Sequence, residues 1–510
     1  MNLFTYIKPI VASTLLLGCC LSADADAFDD YIKKKNQEWD RAIAKYNDQY
    51  EAKVAEYNTA FEKKRAEYNA RFLDYIAKPW QEYELNQHKK APTIPTPDII
   101  IPADKTEPKK TIQIKEDLKI IELPKDNDVD LTIREVSQHA SHKVNYYGST
   151  LKVELTKESA KRFKVQSVSE KAVSKAMSFL INDSQFKKLV DDCVALKSQY
   201  NMCDWGYIMF TDKLAKSYFG EKKCSESILL RAFLLTQTGY DVRVGKSENG
   251  LELLVNSNDE IFEYLYVNFL DDNSERRYYL VTAKNVEYIS TYKERFCEKS
   301  KPCEMKISSP PVFEVSPSQN RNYNSRVGVS VGAFVNKNLM NFYDDYPPCH
   351  WSVYAVSGMS QELYKQVVGE LRQQILGLDK KSAVSQILNF VQTAFPYAKD
   401  SLQFKGERSL FPDETFYYPG CDCEDHAILF AYLVNELVGL DVIFLHYSAP
   451  FPHLSTAIKF DDERILGDAI LYEGEKYIMC DPTIGGSGAD IGVQARECKN
   501  LVPICYKIKF

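Results

Sequence analysis

Between residues 28 and 90 the chain is polar, contains no glycine and carries aromatic residues on a fixed beat. Trp39, Tyr50, Phe61, Phe72 and Tyr83 stand eleven residues apart, as do Tyr46, Tyr57 and Tyr68. Eleven residues make three helical turns at about 3.67 residues per turn, so the aromatic positions form one stripe and any supercoil is right-handed. The spacing predicts one long helix over 28–90, with a seam that must be covered by the body of the protein, by a second copy or by a partner. Charges of alternating sign on the other faces suit solvent and argue against a membrane-surface helix.

Five prolines (Pro92, Pro95, Pro97, Pro102 and Pro108) then predict an extended linker over 91–112. Beyond it, apolar positions recur with helical and strand periods through 113–300 and again through 301–510, with a break at Pro310-Pro311. The two stretches share a pattern. Cys224-SESILLRAFLL-Thr236 overlays Cys423-EDHAILFAYLV-Asn435 without a gap, and each run reaches a Gly-led turn into a strand, at Gly239 and Gly439. This predicts two copies of a helix-then-sheet unit, and hence an α+β fold.

The N-terminus carries Lys8, an apolar run from Ile10 to Leu17 and the repeat Ala23-Asp24-Ala25-Asp26-Ala27, the anatomy of a secretory signal over 1–27. Lipoprotein processing at Cys19 is the rival reading; either way the expected location is outside the cytoplasm, periplasmic or in the cell envelope. A membrane contact is expected only if Cys19 is lipidated. Composition is that of a globular chain, with 45% hydrophobic residues, and a formal charge of −7 gives no footprint for nucleic acid. Thirteen cysteines are many for one chain. In an exported protein they point to disulfides, and losing Cys19 and Cys20 with the signal leaves an odd number, hence at least one thiol without a partner in the same chain.

The second copy concentrates the chemistry. Cys423 opens an apolar helix, His453 opens the strand-like Leu454-STAIK-Phe460, and Asp481 follows the strand-like Lys476-YIMC. A thiol at a helix N-terminus is favoured as thiolate by the helix dipole, an imidazole moves its proton, and a carboxylate fixes the ring's tautomer. In the first copy no histidine lies between His142 and His350, so Cys224 has no base and that copy reads as a degenerate, structural or binding unit. His426, three residues after Cys423, completes a Cys-x-Cys-x-x-His pattern, but no second ligand cluster accompanies it, and neither a metal nor a cofactor is expected. Gln392 is a possible oxyanion donor; the backbone N–H of Cys423 is the other.

These residues resemble the transglutaminase-like superfamily of papain-like folds, in particular its exported Bacteroidetes-type group. The resemblance rests on Phe390-VQTAF-Pro396-Tyr397, Asp400, Gly406-Glu407, Pro412-Asp-Glu-Thr415, Asp422-Cys423-Glu424-Asp425, His453 and Gly467-Asp468 through Asp481-Pro482-Thr483, and covers about residues 300–495. It implies Cys423 as nucleophile, His453 as base and Asp481 as third member, although Pro452 stands where the family usually has Gly. It also implies that Cys421 and Cys480 come together, where a disulfide would brace the helix against the Asp481 strand. Cys224 with Cys203 or Cys193, Cys297 with Cys303, and Cys498 with Cys505 are the short-range pairs. The expected activity is acyl transfer from amide bonds of a protein or peptide substrate through a thioester, with water favoured over an amine as acceptor. The alternative is a non-catalytic scaffold that binds protein or glycan, with the N-terminal helix mediating self-association or partner binding.

Overall fold

The computed structural model describes residues 25–87, 100–104, 106–122, 135–222, 224–271, 274–296, 299–462, 464–485 and 488–509. Residues 1–24, with Cys19 and Cys20, lie outside them, as do Pro92, Pro95 and Pro97. The chain forms two compact units, 1–72 and 73–510. A helix spans Ala25–Ile76, so the aromatic repeat is helical without interruption up to that point. Local pairing supports its polar faces, as between Lys35 and Glu38 at 2.7 Å.

The helix does not run to residue 90 as expected. Pro79 lacks the N–H that a further turn requires, and Trp80–Glu84 instead forms a strand whose register runs from Trp80↔Tyr292 to Glu84↔Tyr288. Tyr75 seals the junction, its ring 4.6 Å from that of Tyr292, while the Tyr292 hydroxyl donates to the Ile76 carbonyl at 3.1 Å.

The 73–510 unit is α+β and holds two seven-stranded sheets. From one edge, the first runs Trp80–Glu84, Tyr288–Tyr292, Val242–Ser247, Gly250–Asn256, Ser274–Leu280, Leu265–Asp271 and Asn86–Gln87. The second runs Lys119–Glu122, Ile504–Lys509, Val442–Tyr447, His453–Lys459, Glu475–Cys480, Ala469–Tyr472 and Thr111–Gln113. The five inner strands follow the same chain order in both sheets. Each series is entered from a helix, Ser225–Gln237 or Cys423–Val438, buried on most of its faces. Such a helix is core rather than surface, and each Leu or Ile it buries contributes about 1.5–3 kcal/mol. The second helix ends at Gly439, whose φ of 68° closes a left-handed cap.

Segment 100–122, divided by the sequence between a linker and the first copy, supplies both edges of the second sheet. Thr111–Gln113 pairs in parallel with Ala469–Leu471, and Lys119–Glu122 with Tyr506–Lys509. Ile100, Ile112 and Ile114 join the core beneath that sheet with Ile443, Tyr477 and Ile484. At the end of the first sheet that corresponds to the Cys423 end of the second lies a cavity of about 1050 Å³, lined in part by Ser227, Arg231, Val281 and Thr282.

The expected disulfides are not formed among the described residues. Cys193, Cys203, Cys224, Cys303, Cys349, Cys421, Cys423, Cys480, Cys498 and Cys505 are all free thiols, and Cys297 lies outside the described residues. Local contacts account for several of them: Cys203 accepts the Gly206 N–H as a helix cap, and Cys421 lies against His426 rather than Cys480. No described helix is long and apolar enough to cross a membrane.

Candidate active site

The Cys423–Val438 helix starts where Asp422 takes extended dihedrals and its N–H donates to Asp425 Oδ2 at 3.2 Å. Asp425 Oδ1 also accepts the Leu410 N–H at 2.7 Å, tying the helix start to the preceding segment. Cys423 therefore occupies the first helical position, where its own N–H has no intrahelical acceptor. The Leu454 N–H points at its sulfur, and Leu454 directly follows His453.

His453 begins a strand opposite Tyr447, and the Pro452 that precedes it does not keep its ring from Asp481. Nε2 lies 3.1 Å from Asp481 Oδ2, while Nδ1 has no hydrogen-bond partner among the described residues. The other carboxylate oxygen of Asp481 accepts from the Thr483 N–H at 3.1 Å and hydroxyl at 2.5 Å. Burial works to raise the Asp481 pKa, but the charge and hydrogen bond of His453 and the bonds from Thr483 hold it below the ordinary carboxylate range. Asp481 is thus an anion committed to one imidazole edge, leaving Nδ1 as the nitrogen free to handle a proton. The structure brings His453 and Asp481 into contact and sets the Cys423 sulfur against the residue next to His453.

Gln392 has a different task from the one expected. Its Nε2 donates to the Asp481 carbonyl at 2.8 Å and its Oε1 accepts the Ala489 N–H at 3.0 Å, so both ends of the amide clamp the loop after the Asp481 strand. Both the amide nitrogen and the amide oxygen are thus engaged by that loop. Gln392→Leu leaves two buried backbone groups unpaired and is expected to lower stability by about 1–3 kcal/mol, read as a lower urea midpoint.

The thiol itself is not in the state the helix N-terminus alone suggests. Burial pushes the Cys423 pKa up, the charges of Glu424 and Asp422 push it further, and the Leu454 N–H offsets only part. The thiol lies 3.3 Å from Glu424 Oε2, to which it donates. Cys423 and His453 have no exposed surface and Asp481 is 1% exposed, with the Phe451 ring edge-on to that of His453 at 5.9 Å. The site is therefore closed to solvent in this structure.

Next to the thiol is a group that sequence reasoning missed. Asp400, Glu407, Asp422 and Glu424 bring carboxylate oxygens within 4.8 Å of one another. Burial, then the Glu424 charge, raise the pKa of Asp400 to about 8, and the same two causes raise Glu407 and Asp422. Asp400 is 1% exposed; Oδ2 accepts the Arg408 N–H, and Oδ1 has no partner among the described residues. An all-oxygen donor set with an orphaned buried oxygen fits a hard divalent cation such as Ca²⁺, not zinc. A cation held there would supply positive charge beside the thiol. The Cys421, Cys423 and His426 pattern does not converge: His426 Nδ1 lies 2.7 Å from the Asp422 carbonyl and 3.4 Å from the Cys421 sulfur, whereas Cys423 turns to Glu424. The signal available in the sequence was the density of acids, Asp422, Glu424 and Asp425, around one cysteine.

In the first copy, Thr282 stands near the place of Asp481. Its hydroxyl accepts the Leu253 N–H at 3.0 Å and donates to Glu252 at 2.5 Å, in a segment of the chain without histidine.

No family model matches the chain, and no curated protein does. Among solved structures, Legionella pneumophila LapG (EGTA-treated) aligns with 14% identity over 28% of this chain and 76% of that one, at a TM-score of 0.21.

Proposed function

We propose that this chain is an exported, cysteine-dependent acyl-transfer enzyme of transglutaminase-like, papain-like arrangement, acting on amide bonds of proteins or peptides. The carrying observation is the His453–Asp481 pair, which leaves Nδ1 without a partner among the described residues, together with the Leu454 N–H, next in the chain to His453, reaching the Cys423 sulfur. In this reading the thiol proton passes to His453 Nδ1 as sulfur attacks the carbonyl carbon. The leaving amine then takes that proton, and a thioester remains on Cys423. Because the resting thiol is held protonated, His453 acts as a base during attack rather than as half of a standing ion pair. Water is the default acceptor for the thioester, giving amidase or peptidase activity; an amine acceptor gives cross-linking.

The first copy serves as a binding unit through its cavity, and the N-terminal helix as the surface for self-association or a partner. The closed site and raised thiol pKa favour the second reading, a non-catalytic scaffold, and one experiment separates the two. The full chain is incubated with casein and a fluorescent primary amine, beside Cys423→Ala. New amino termini or ammonia, lost in the variant, are expected. Cys423-dependent amine incorporation assigns the amine as acceptor, and no Cys423-dependent product of either kind leaves the scaffold.

A further inference from the structure

We propose that Tyr397 is a catalytic residue of this acyl transfer, its hydroxyl donating the hydrogen bond that holds the oxyanion; the inference rests on the function proposed above. Tyr397 lies on the segment that runs beside the start of the nucleophile helix. The Cys421 N–H donates to the Pro396 carbonyl at 3.1 Å and the Ala398 N–H to the Cys421 carbonyl at 2.9 Å, fixing Tyr397 in register with Cys421, two residues before the nucleophile. That approach needs Gly420, where a Cβ would meet the Ala398 Cβ at 2.6 Å. The Tyr397 ring lies 5.9 Å from that of His426 and packs on the core that contains Ile484 and Ala489.

Its hydroxyl is buried and has no hydrogen-bond partner among the described residues. A buried donor without an acceptor costs about 1–3 kcal/mol, so its place beside a reacting group calls for an acceptor that arrives with the substrate. Burial raises the phenol's pKa and the charges of Cys423, Asp422, Glu424 and Asp481 raise it further. Burial and these charges keep the hydroxyl protonated, as a donor, while the pairing of Tyr397 with Cys421 places it next to the start of the Cys423 helix. The absence of a direct bond to the sulfur is what an oxyanion donor requires, because the oxygen must fit between them. As sulfur bonds to the carbonyl carbon, the C=O electron pair moves onto oxygen, where the Tyr397 hydroxyl and the Cys423 N–H both donate. Collapse re-forms C=O and breaks the bond to the leaving group, and Tyr397 keeps its proton throughout.

The test uses the full chain and two small reagents. With p-nitrophenyl acetate, the parent is expected to release a burst of p-nitrophenolate that Cys423→Ala abolishes, and Tyr397→Phe to acylate about 10²–10³-fold more slowly. With chloroacetamide, which alkylates sulfur by displacement at a saturated carbon and forms no oxyanion, mass mapping is expected to show parent-like modification of Cys423 in Tyr397→Phe. Acylation at the parent rate overturns the assignment, and so does an equal loss in both reactions, which marks a structural role. A parent burst that survives in Cys423→Ala, or no burst at all, sinks the acyl-transfer reading itself and the inference with it.

Discussion

Asp481→Asn is expected to acylate at Cys423 on the order of 10⁴-fold more slowly than the parent, with the fold intact. Asp481 Oδ2 faces His453 Nε2 at 3.1 Å, so the carboxylate requires a proton on that nitrogen and a lone pair on Nδ1. An asparagine side chain can turn its NH₂ toward Nε2, which moves the ring proton to Nδ1 and removes the lone pair that the proposed attack uses. It also removes the negative charge that stabilises the imidazolium formed during attack. Thr483, which donates to Oδ1 through both N–H and hydroxyl, still has an oxygen to bond. Pre-steady-state release of p-nitrophenolate measures the rate, and an unchanged circular dichroism spectrum shows that tautomer rather than folding is affected. A loss below tenfold removes Asp481 from the chemistry.

The second large effect concerns stability. Burial raises the pKa of Asp413 to about 6 and of Glu414 to about 7, in the latter case against the opposing Arg408 charge, and burial with Glu424 raises Asp400 to about 8. A carboxyl whose folded pKa is raised contributes stability that is fully present below its unfolded value and lost as pH climbs through the folded value. Cation-free protein is therefore expected to lose stability between about pH 4 and pH 8, the reverse of the usual acid lability of ion-paired carboxylates. Calcium at about a hundred times its dissociation constant is expected to restore about 2.7 kcal/mol at pH 8 and less at pH 5, where protons compete for the same oxygens. Asp400→Asn is expected to flatten the pH dependence and blunt the calcium response. Urea midpoints at both pH values, with calcium or with EGTA, provide the check. A calcium-independent midpoint at pH 8 means that the four carboxylates hold no cation, and a midpoint that rises from pH 5 to pH 8 contradicts the charge assignment.

Much of this site is visible in the linear chain because its signals are local. A cysteine at the head of an apolar helix, a histidine at the head of one strand and an aspartate at the end of another are readable from spacing. The equivalence of the Cys224 and Cys423 segments likewise extends to a common order of the five inner strands in both sheets. What was hidden depends on distant segments meeting. Asp400 and Glu407 reach Asp422 and Glu424 only through the fold, and burial, followed by the charges of Glu424 and Asp422, outweighs the expected effect of the helix N-terminus on the thiol. Gln392 and Tyr397 both stand in the stretch from Phe390 to Tyr397, yet only the contacts show that one amide is spent on the Asp481 loop while one phenol has no acceptor. Counting cysteines suggested bridges, but parity carries no geometry, and Cys421 is held by the chain on the His426 side. Nor does a proline-rich composition reveal edge strands: Thr111–Gln113 and Lys119–Glu122 are defined by the neighbours they pair with.

In the proposed reaction Cys423 forms a covalent acyl intermediate with His453 as its base. Its most direct test is intact-protein mass spectrometry after millisecond acid quenching of the full chain with p-nitrophenyl acetate, followed by peptide mapping. The expected result is a single acetyl group on Cys423 in the parent, absent from His453→Ala at the same time point. Acetyl groups on other residues alone, or equal acetylation of Cys423 in parent and His453→Ala, would contradict it.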